Sequence, residues 1–273
     1  MPIKEFKPVT NGLRNSSGFT YEEITTSKPE KSLVVRLKKS GGRSYGKITV
    51  RHRGGGARKK YRLIDFKRKK DGVPAKVSSI EYDPNRTCRI ALLTYNDGEK
   101  KYILAPNGLE VGQTVQSGEN IPFTPGNCLK IKDIPVGTQV HNVEIRPGQG
   151  GKLIRSAGLG GVISAKDGDH CHLIMPSKEV RRIRIECRAT IGAVGNSEHG
   201  KVKIGKAGKR RHMGWRPSVR GTAQAPVDHP MGGGEGRRAG GRHPCSPTGK
   251  LAKGGATRKR NKTTNVEIIR RRK

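Results

Sequence analysis

Positive charge is spread so unevenly along these 273 residues that a single fold cannot serve the whole chain. Residues 1–60 hold 15 Lys and Arg against 4 Asp and Glu, and residues 201–273 hold 21 against 3, so the two ends carry +29 of a net +35. Residues 61–200 hold 21 against 15, an ordinary balance. Charge at the density of the ends repels itself in a compact body unless a polyanion neutralises it, which makes nucleic acid the first partner to consider. The carboxy-terminal segment has 13 glycines and no sustained period of 2 or 3.6, apart from a short helix expected near Ser218–Gln224 and an apolar patch at Val266–Ile269. Fixing a backbone costs roughly 1–2 kcal/mol per residue, more than such segments can recover by burying apolar surface. Both ends are therefore expected to take their form against phosphate rather than alone.

The middle carries the folding signals. In TCRIALLTYNDGEKKYIL, residues 87–104, two apolar-rich runs flank Asn96-Asp97-Gly98, and the Asp-Gly pair suits the positive φ of a tight hairpin turn. VISAKDGDHCHLIM, residues 162–175, repeats the pattern around Asp167-Gly168. Further short strands are predicted at 76–82, 109–115, 128–132, 139–145, 152–156 and 180–188, separated by Gly, Pro, Asn and Asp. Strands of that length and spacing make small barrels. Pro122, Pro125 and Gly126 interrupt the series, which places one β module at 61–125 and a second at 126–198, with basic extensions at 1–60 and 199–273. The two modules show no sequence repeat.

No apolar run approaches the roughly 18–20 residues of a membrane span, and the first 15 residues lack the apolar stretch of a signal peptide, so the expectation is a soluble protein that is not exported. Five scattered cysteines without a CxxC spacing argue for reduced thiols rather than a disulfide framework or a ribbon-type zinc site.

Two stretches carry candidate binding chemistry. In GKITVRHRGGGARKKYRLIDFKRKK, residues 46–70, Arg51, Arg53, Arg58, Lys59, Lys60 and Arg62 surround three glycines that let the backbone lie close to another surface. His52 and Tyr61 offer faces for stacking. Neither a Walker spacing nor GxGxxG is present, so the glycines do not read as a nucleotide-phosphate loop. In VDHPMGGGEGRRAGGRHPCSP, residues 227–247, Gly232, Gly233 and Gly234 would let backbone N–H groups approach phosphate. Arg237, Arg238 and Arg242 supply forked donors, and His229 and His243 can stack or hydrogen-bond without a full charge. Lys206, Lys209, Arg210, Arg211, Arg216 and Arg220 continue the pattern upstream, with Trp215 as the lone indole.

The stretches TVRHRGGG, EYDPNRTCRIALLTY, GNCLKIKDIPVGTQVHNVEIRPGQGGKLIRSAG and VRGTAQAPVDHPMGGGEGR together resemble the bacterial large-subunit ribosomal protein two family, over almost the whole chain. That resemblance implies a mainly β fold, an OB-like barrel followed by an SH3-like barrel, with long irregular basic extensions. It implies binding to 23S ribosomal RNA near the peptidyl-transferase region, neighbours among other large-subunit components, and contact with the small subunit through an intersubunit bridge. It marks Arg86 in DPNRT and Arg155 in KLIRSAG as RNA-contacting arginines, with Asp83-Pro84-Asn85 holding Arg86 on a rigid corner. The expected location is the cytoplasm, in the ribosome, with no small-molecule substrate, no membrane and no cofactor beyond magnesium ions that the RNA itself binds. Some positions depart from the family pattern: Ser44-Tyr45 stands where two asparagines are common, Ala57-Arg58 where His-Lys is common, and Thr248 where a tryptophan is expected.

Other readings of the second stretch make distinct demands. A hydrolase needs an Asp that reaches the far nitrogen of its His from elsewhere in the fold, which the neighbours Asp228 and His229 do not supply, and no G-x-S-x-G elbow surrounds Ser218 or Ser246. A metal site needs three or four converging ligands, and of His229, His243 and Cys245 only the last two are close in sequence. A general nucleic-acid chaperone would share the charge without needing two barrels. The chain is accordingly expected not to be an enzyme and not to hold a metal.

Overall fold

The computed structural model describes residues 3–37, 41–236, 241–255 and 257–272. Its strands, in chain order, are β1 (Ile3–Glu5), β2 (Ser17–Phe19), β3 (Val34–Arg36), β4 (Arg43–Ser44), β5 (Lys47–Ile48), β6 (Lys60–Arg62), β7 (Ala75–Glu81), β8 (Ile90–Tyr95) and β9 (Lys100–Leu104). They continue with β10 (Thr114–Val115), β11 (Cys128–Lys130), β12 (Gln139–His141), β13 (Gly161–Asp167), β14 (His170–Ile174), β15 (Val180–Arg184), β16 (Arg188–Ile191) and β17 (Ile268–Arg270). Among the described residues two short helices, α1 (Asn11–Arg14) and α2 (Ala207–His212), and several short 3-10 segments complete the regular structure. The chain divides into two compact units. Residues 1–38, 58–207 and 266–273 form one, and residues 39–57 and 208–265 the other.

In the first unit the OB-like module is an antiparallel sheet in the order β10-β7-β8-β9. Its central strand β8, IALLTY, is apolar at almost every position, so both of its faces must be covered. Ala91, Leu93 and Tyr95 face a core with Ala75, Val77, Ile103, Leu109 and Val115, while Ile90 and Leu92 on the other face pack with Tyr102 beneath Leu33 and Ile64. The second demand draws chain from outside the sheet onto it: Leu33 leads into β3, which pairs with β6 from Val34↔Arg62 to Arg36↔Lys60. The tip of the β8–β9 hairpin is the one expected, with Gly98 at φ +82.

The SH3-like module is a seven-stranded sheet in the order β11-β16-β12-β13-β14-β15-β17, closed over Leu129, Ile131, Ile134, Val140, Val143, Ile163, Leu173, Ile183 and Ile191. The β13–β14 hairpin turns through Gly168-Asp169, with Asp167 paired to His170. The strand expected at 180–188 is two strands, β15 and β16, separated by a turn at Cys187 whose N–H bonds Arg184 O. The stretch 152–156 is not a strand, because Ile154 takes φ +52 and only Leu153 bridges to Val143. The apolar patch at Val266–Ile269 supplies β17, which pairs with β15 and gives that edge a partner.

Main-chain bonds join the two modules within this unit, from Gly195 N–H to Ala105 O at 3.0 Å and from Asn107 N–H to Ala193 O at 2.8 Å. Arg188 adds a two-pronged contact to Asp71, both N···O distances 2.6 Å, and a third bond to Arg68 O. Arg68 itself is inside, 2% exposed, with Nε donating to Ser117 Oγ at 3.0 Å.

In the second unit β4 and β5 form a small hairpin. The GGG loop is fastened to the end of α2 and the turn after it by Ala57 N–H to His212 O (2.8 Å) and Gly54 N–H to Gly214 O (3.1 Å). Gly56 lies at φ +83, and a Cβ there would fall 2.7 Å from Gly214 N and His212 O, so no larger residue fits without moving backbone. The helix expected near Ser218–Gln224 is a single 3-10 turn at Gly221–Ala223. Among the described residues of 3–60 and 201–272, only Ser16, Ser17, His229 and Cys245 are buried.

Candidate nucleic-acid interface

Three residues distant in sequence meet on the first unit. The guanidinium of Arg155 lies 4.7 Å from the ring centre of Phe66, and that of Arg86 lies 5.9 Å from the same ring and 5.7 Å from Tyr61. An arginine from each β module thus rests on one aromatic side chain, a cation–π arrangement that fixes a guanidinium while leaving donors at its rim. Asp83, fully buried, builds the corner that carries Arg86. Its carboxylate accepts Asn85 N–H at 2.8 Å and Arg86 Nε–H at 2.5 Å, and Asn85 Nδ2 donates to Lys60 O at 2.7 Å. Burial works against the charge on Arg86, but its hydrogen bond to Asp83 and the carboxylate's charge outweigh that and hold its pKa above the ordinary arginine value. Arg155 is exposed and donates to Gly151 O at 3.3 Å.

The other sequence candidates of this unit divide. Arg58, Lys60 and Lys206 are exposed, while Lys59 and Tyr61 are half-buried. Arg62 is buried, and its Nη1 bonds Lys60 O at 3.2 Å. It sits under the β3–β6 pair rather than on the surface, because period-two alternation along β6 points it opposite to Tyr61.

In the second unit the guanidinium of Arg53 lies 3.4 Å from the centre of the Trp215 ring, with that of Arg210 at 5.7 Å. The indole expected to receive a base therefore has an arginine stacked on it. His52, at φ +60, approaches Pro217 O through Nδ1 at 3.1 Å and accepts Arg216 N–H at its own carbonyl. Arg51, Arg210, Arg211, Arg216 and Arg220 are exposed and Lys209 is half-buried, so the loop and α2 together present a dense cationic surface.

The Gly-rich stretch is organised differently from the expectation. His229 is only 6% exposed, its ring flush against the bare Cα of Gly221, where a Cβ would lie 2.4 Å from Cε1. Its Nδ1 accepts Met231 N–H at 3.1 Å, which leaves the neutral ring's proton on Nε2 and excludes an Asp228–Nδ1 dyad. The N–H groups of Gly232 and Gly233 already bond His229 O and Gln224 O, so they are not free to receive phosphate. A Cβ on Gly232 would meet Gln224 O at 2.4 Å: glycine is needed here first by the loop's own packing. Gly234, Arg242 and His243 are exposed. Arg237 and Arg238 lie outside the described residues.

Among the described residues no three of His, Cys, Asp and Glu come together in a way that would hold a metal ion. All five cysteines are free and buried, and burial pushes the Cys88 and Cys171 thiols up to about 11 and Cys187 to about 12, keeping them protonated and poor as ligands or nucleophiles. No helix of the described residues is long and apolar enough to cross a membrane.

Sequence reasoning missed Phe66. Its signal was present, as one of only four phenylalanines, set inside a run of lysines and arginines.

Two compact β modules, stacked guanidinium groups and glycine-rich cationic loops define an RNA-binding protein. A family model described as Ribosomal Proteins L2, RNA binding N-terminal domain, matches residues 30–117, and one described as Ribosomal Proteins L2, C-terminal domain, matches residues 124–249. The chain belongs to the ribosomal protein L2 family. It is an RNA-binding structural protein of the large ribosomal subunit, and its place is in the ribosome.

Proposed function

We propose that this protein binds 23S ribosomal RNA through the Arg86–Phe66–Arg155 cluster and uses its basic ends to bring RNA segments together during assembly of the large subunit. The observation that carries this reading is the meeting of Arg86 and Arg155 at one ring, because a ligand spanning both must touch both β modules at once. The ends, at +29 together, neutralise phosphates that would otherwise keep neighbouring RNA segments apart. In the assembled particle the protein lies near the peptidyl-transferase region, contacts other large-subunit components and takes part in a bridge to the small subunit. His229 acts there by shaping its own loop, and through Nε2 the RNA beside it, while peptide-bond chemistry belongs to the RNA. Magnesium at the site is held by RNA rather than by protein, and the setting is the cytoplasm.

The test is to sediment the tagged full-length chain with ribosomal subunits through a high-salt wash, alongside Arg86→Ala/Arg155→Ala and His229→Ala variants. Retention of the wild type on large subunits, loss of the double arginine variant, and incorporation of the histidine variant into subunits that associate or translate poorly are expected. A wild-type chain that washes off, or a histidine variant with normal subunits, overturns the corresponding part of the reading.

A further inference from the structure

The hairpin β4–β5 pairs Ser44 with Lys47, so its loop is Tyr45-Gly46, with φ of +49 and +74. Positive φ at both central residues is the type I′ pattern, which Asn, Asp and Gly adopt with little strain and an aromatic residue does not. Other tight hairpins among the described residues put Asp97-Gly98, Gly168-Asp169 and Pro176-Ser177-Lys178 at their tips. This one ends in a ring, and that ring is 101% exposed, the most exposed large hydrophobic side chain among the described residues. Neither the turn nor any core accounts for it. Ile48 and Val50, 58% and 50% exposed, continue the apolar edge along the same hairpin.

Charge states what kind of surface the ring meets. From Lys31 to Ile64 the sequence has 12 Lys and Arg and no Asp or Glu. Arg43 and Lys47 flank the tip on the two strands, both exposed. An aromatic ring set between cations with no acid nearby matches a nucleic-acid base, whose π-face stacks on the ring while its phosphates meet the flanking charges. An acidic protein partner would match the cations but has no reason to seek an aromatic tip, and the family model over residues 30–117 is that of an RNA-binding domain.

We propose that Tyr45 is a base-stacking residue: the β4–β5 hairpin carries it to an unpaired base of ribosomal RNA, with Arg43 and Lys47 on the adjoining phosphates. This contact rests on the RNA-binding reading above and is separate from the Arg86–Phe66–Arg155 cluster. The full-length chain and its Tyr45→Phe and Tyr45→Gly variants are titrated against transcribed large-subunit ribosomal RNA and against inorganic polyphosphate, which has the charge but no bases. Glycine removes the ring while relieving the turn, so the hairpin persists. Tyr45→Gly should bind the RNA roughly 5- to 150-fold more weakly, the range for one stacked base. Tyr45→Phe should bind it like the wild type, and all three should bind polyphosphate alike. Equal RNA affinity for Tyr45→Gly and wild type overturns the proposal, as does an equal loss in Tyr45→Phe or a matching loss on polyphosphate. If the wild type itself fails to prefer the RNA to polyphosphate, the RNA-binding reading fails with it.

Discussion

His141 ties the stability of the SH3-like module to pH. It lies on β12, is fully buried, and its Nδ1 sits 2.8 Å from Gly192 O, a carbonyl that can only accept, so Nδ1 carries a proton and donates. Burial, with a smaller push from Arg68 and partial relief from that hydrogen bond, lowers its pKa from 6.5 to about 4. In the unfolded chain the imidazole gains its second proton near 6.5, whereas in the fold it does so only near 4. Between these values the unfolded state binds more protons, so stability falls as pH drops, and it stops falling below about 4 where both states are charged. Linkage across that interval gives a loss of about 2 kcal/mol between pH 7 and pH 5, and about 3 kcal/mol by pH 4. Glu81 acts in the opposite sense, because burial raises its pKa and the folded state then takes up its proton first. Wild type must therefore be compared with His141→Asn, which keeps a donor for Gly192 O and does not titrate. Urea unfolding followed by far-ultraviolet circular dichroism is suitable, since the only tryptophan, Trp215, reports on the other unit. The wild type should lose about 2 kcal/mol more than the variant between pH 7 and pH 5. Parallel curves over that range would refute the burial argument.

Further outcomes follow from the geometry and the charge. Gly56→Ala places a Cβ against Gly214 and His212 backbone at a positive φ, so the Arg53–Trp215 stack should come apart, at a cost of about 1–3 kcal/mol to the loop, seen as a change in Trp215 fluorescence. Arg68→Ala, which strips a buried guanidinium from Ser117 and Gln116 O, should destabilise by about 2–4 kcal/mol in urea unfolding. Asp71→Asn, at a half-exposed ion pair with Arg188, should cost no more than about 1 kcal/mol in the same assay. Raising salt from 50 to 200 mM should weaken RNA binding by about 10³–10⁵ if six to ten phosphates are neutralised, and Phe66→Leu should weaken binding without changing that slope, because it removes no charge.

Turn chemistry made the hairpins legible. Asn96-Asp97-Gly98 and Asp167-Gly168 announce positive φ locally, and both turns form there. Strand ends were less legible, because they depend on residues far away. Gly112 at φ +92 confines the strand expected at 109–115 to Thr114–Val115, and Ile154 holds φ +52 although it is β-branched, against its local preference. The helix α2, AGKRRH, has no apolar face and so left no periodic signal. The cationic surface could be read from charge alone, but which cations turn inward could not. Arg62 and Arg68 stand in the same basic run as Lys67 and Lys69, and only strand alternation and a polar slot at Ser117 separate the buried from the exposed. Phe66 acquires its meaning only when the fold brings Arg155 to it.

The distribution of acids explains why these two kinds of arginine coexist in one chain. In residues 61–200 three carboxylates, those of Glu81, Asp83 and Glu144, are buried inside the fold. Asp83 holds Arg86, and Glu144 accepts the N–H groups of Gly148, Gly150 and Arg188 at 2.7–3.1 Å, bracing the loop between β12 and β13. Such groups give buried or half-buried cations and N–H donors internal partners, so this part of the chain reaches nearly ordinary electrostatics before meeting any ligand. The ends have 7 acids for 36 Lys and Arg, and few of those cations can be answered from within. Adding carboxylates there would let the ends neutralise themselves, and would remove the reason for them to lie on RNA. A chain with Arg43 and Lys47 both changed to Glu should fold its β modules as before, since both residues belong to the other unit. It should lose RNA affinity by more than the two phosphate contacts alone account for, because the new carboxylates repel the backbone that Arg43 and Lys47 attract. Urea unfolding unchanged beside weakened RNA retention is the expected pair of results, and a loss of β-module stability would show that the ends do not keep their charge for a partner.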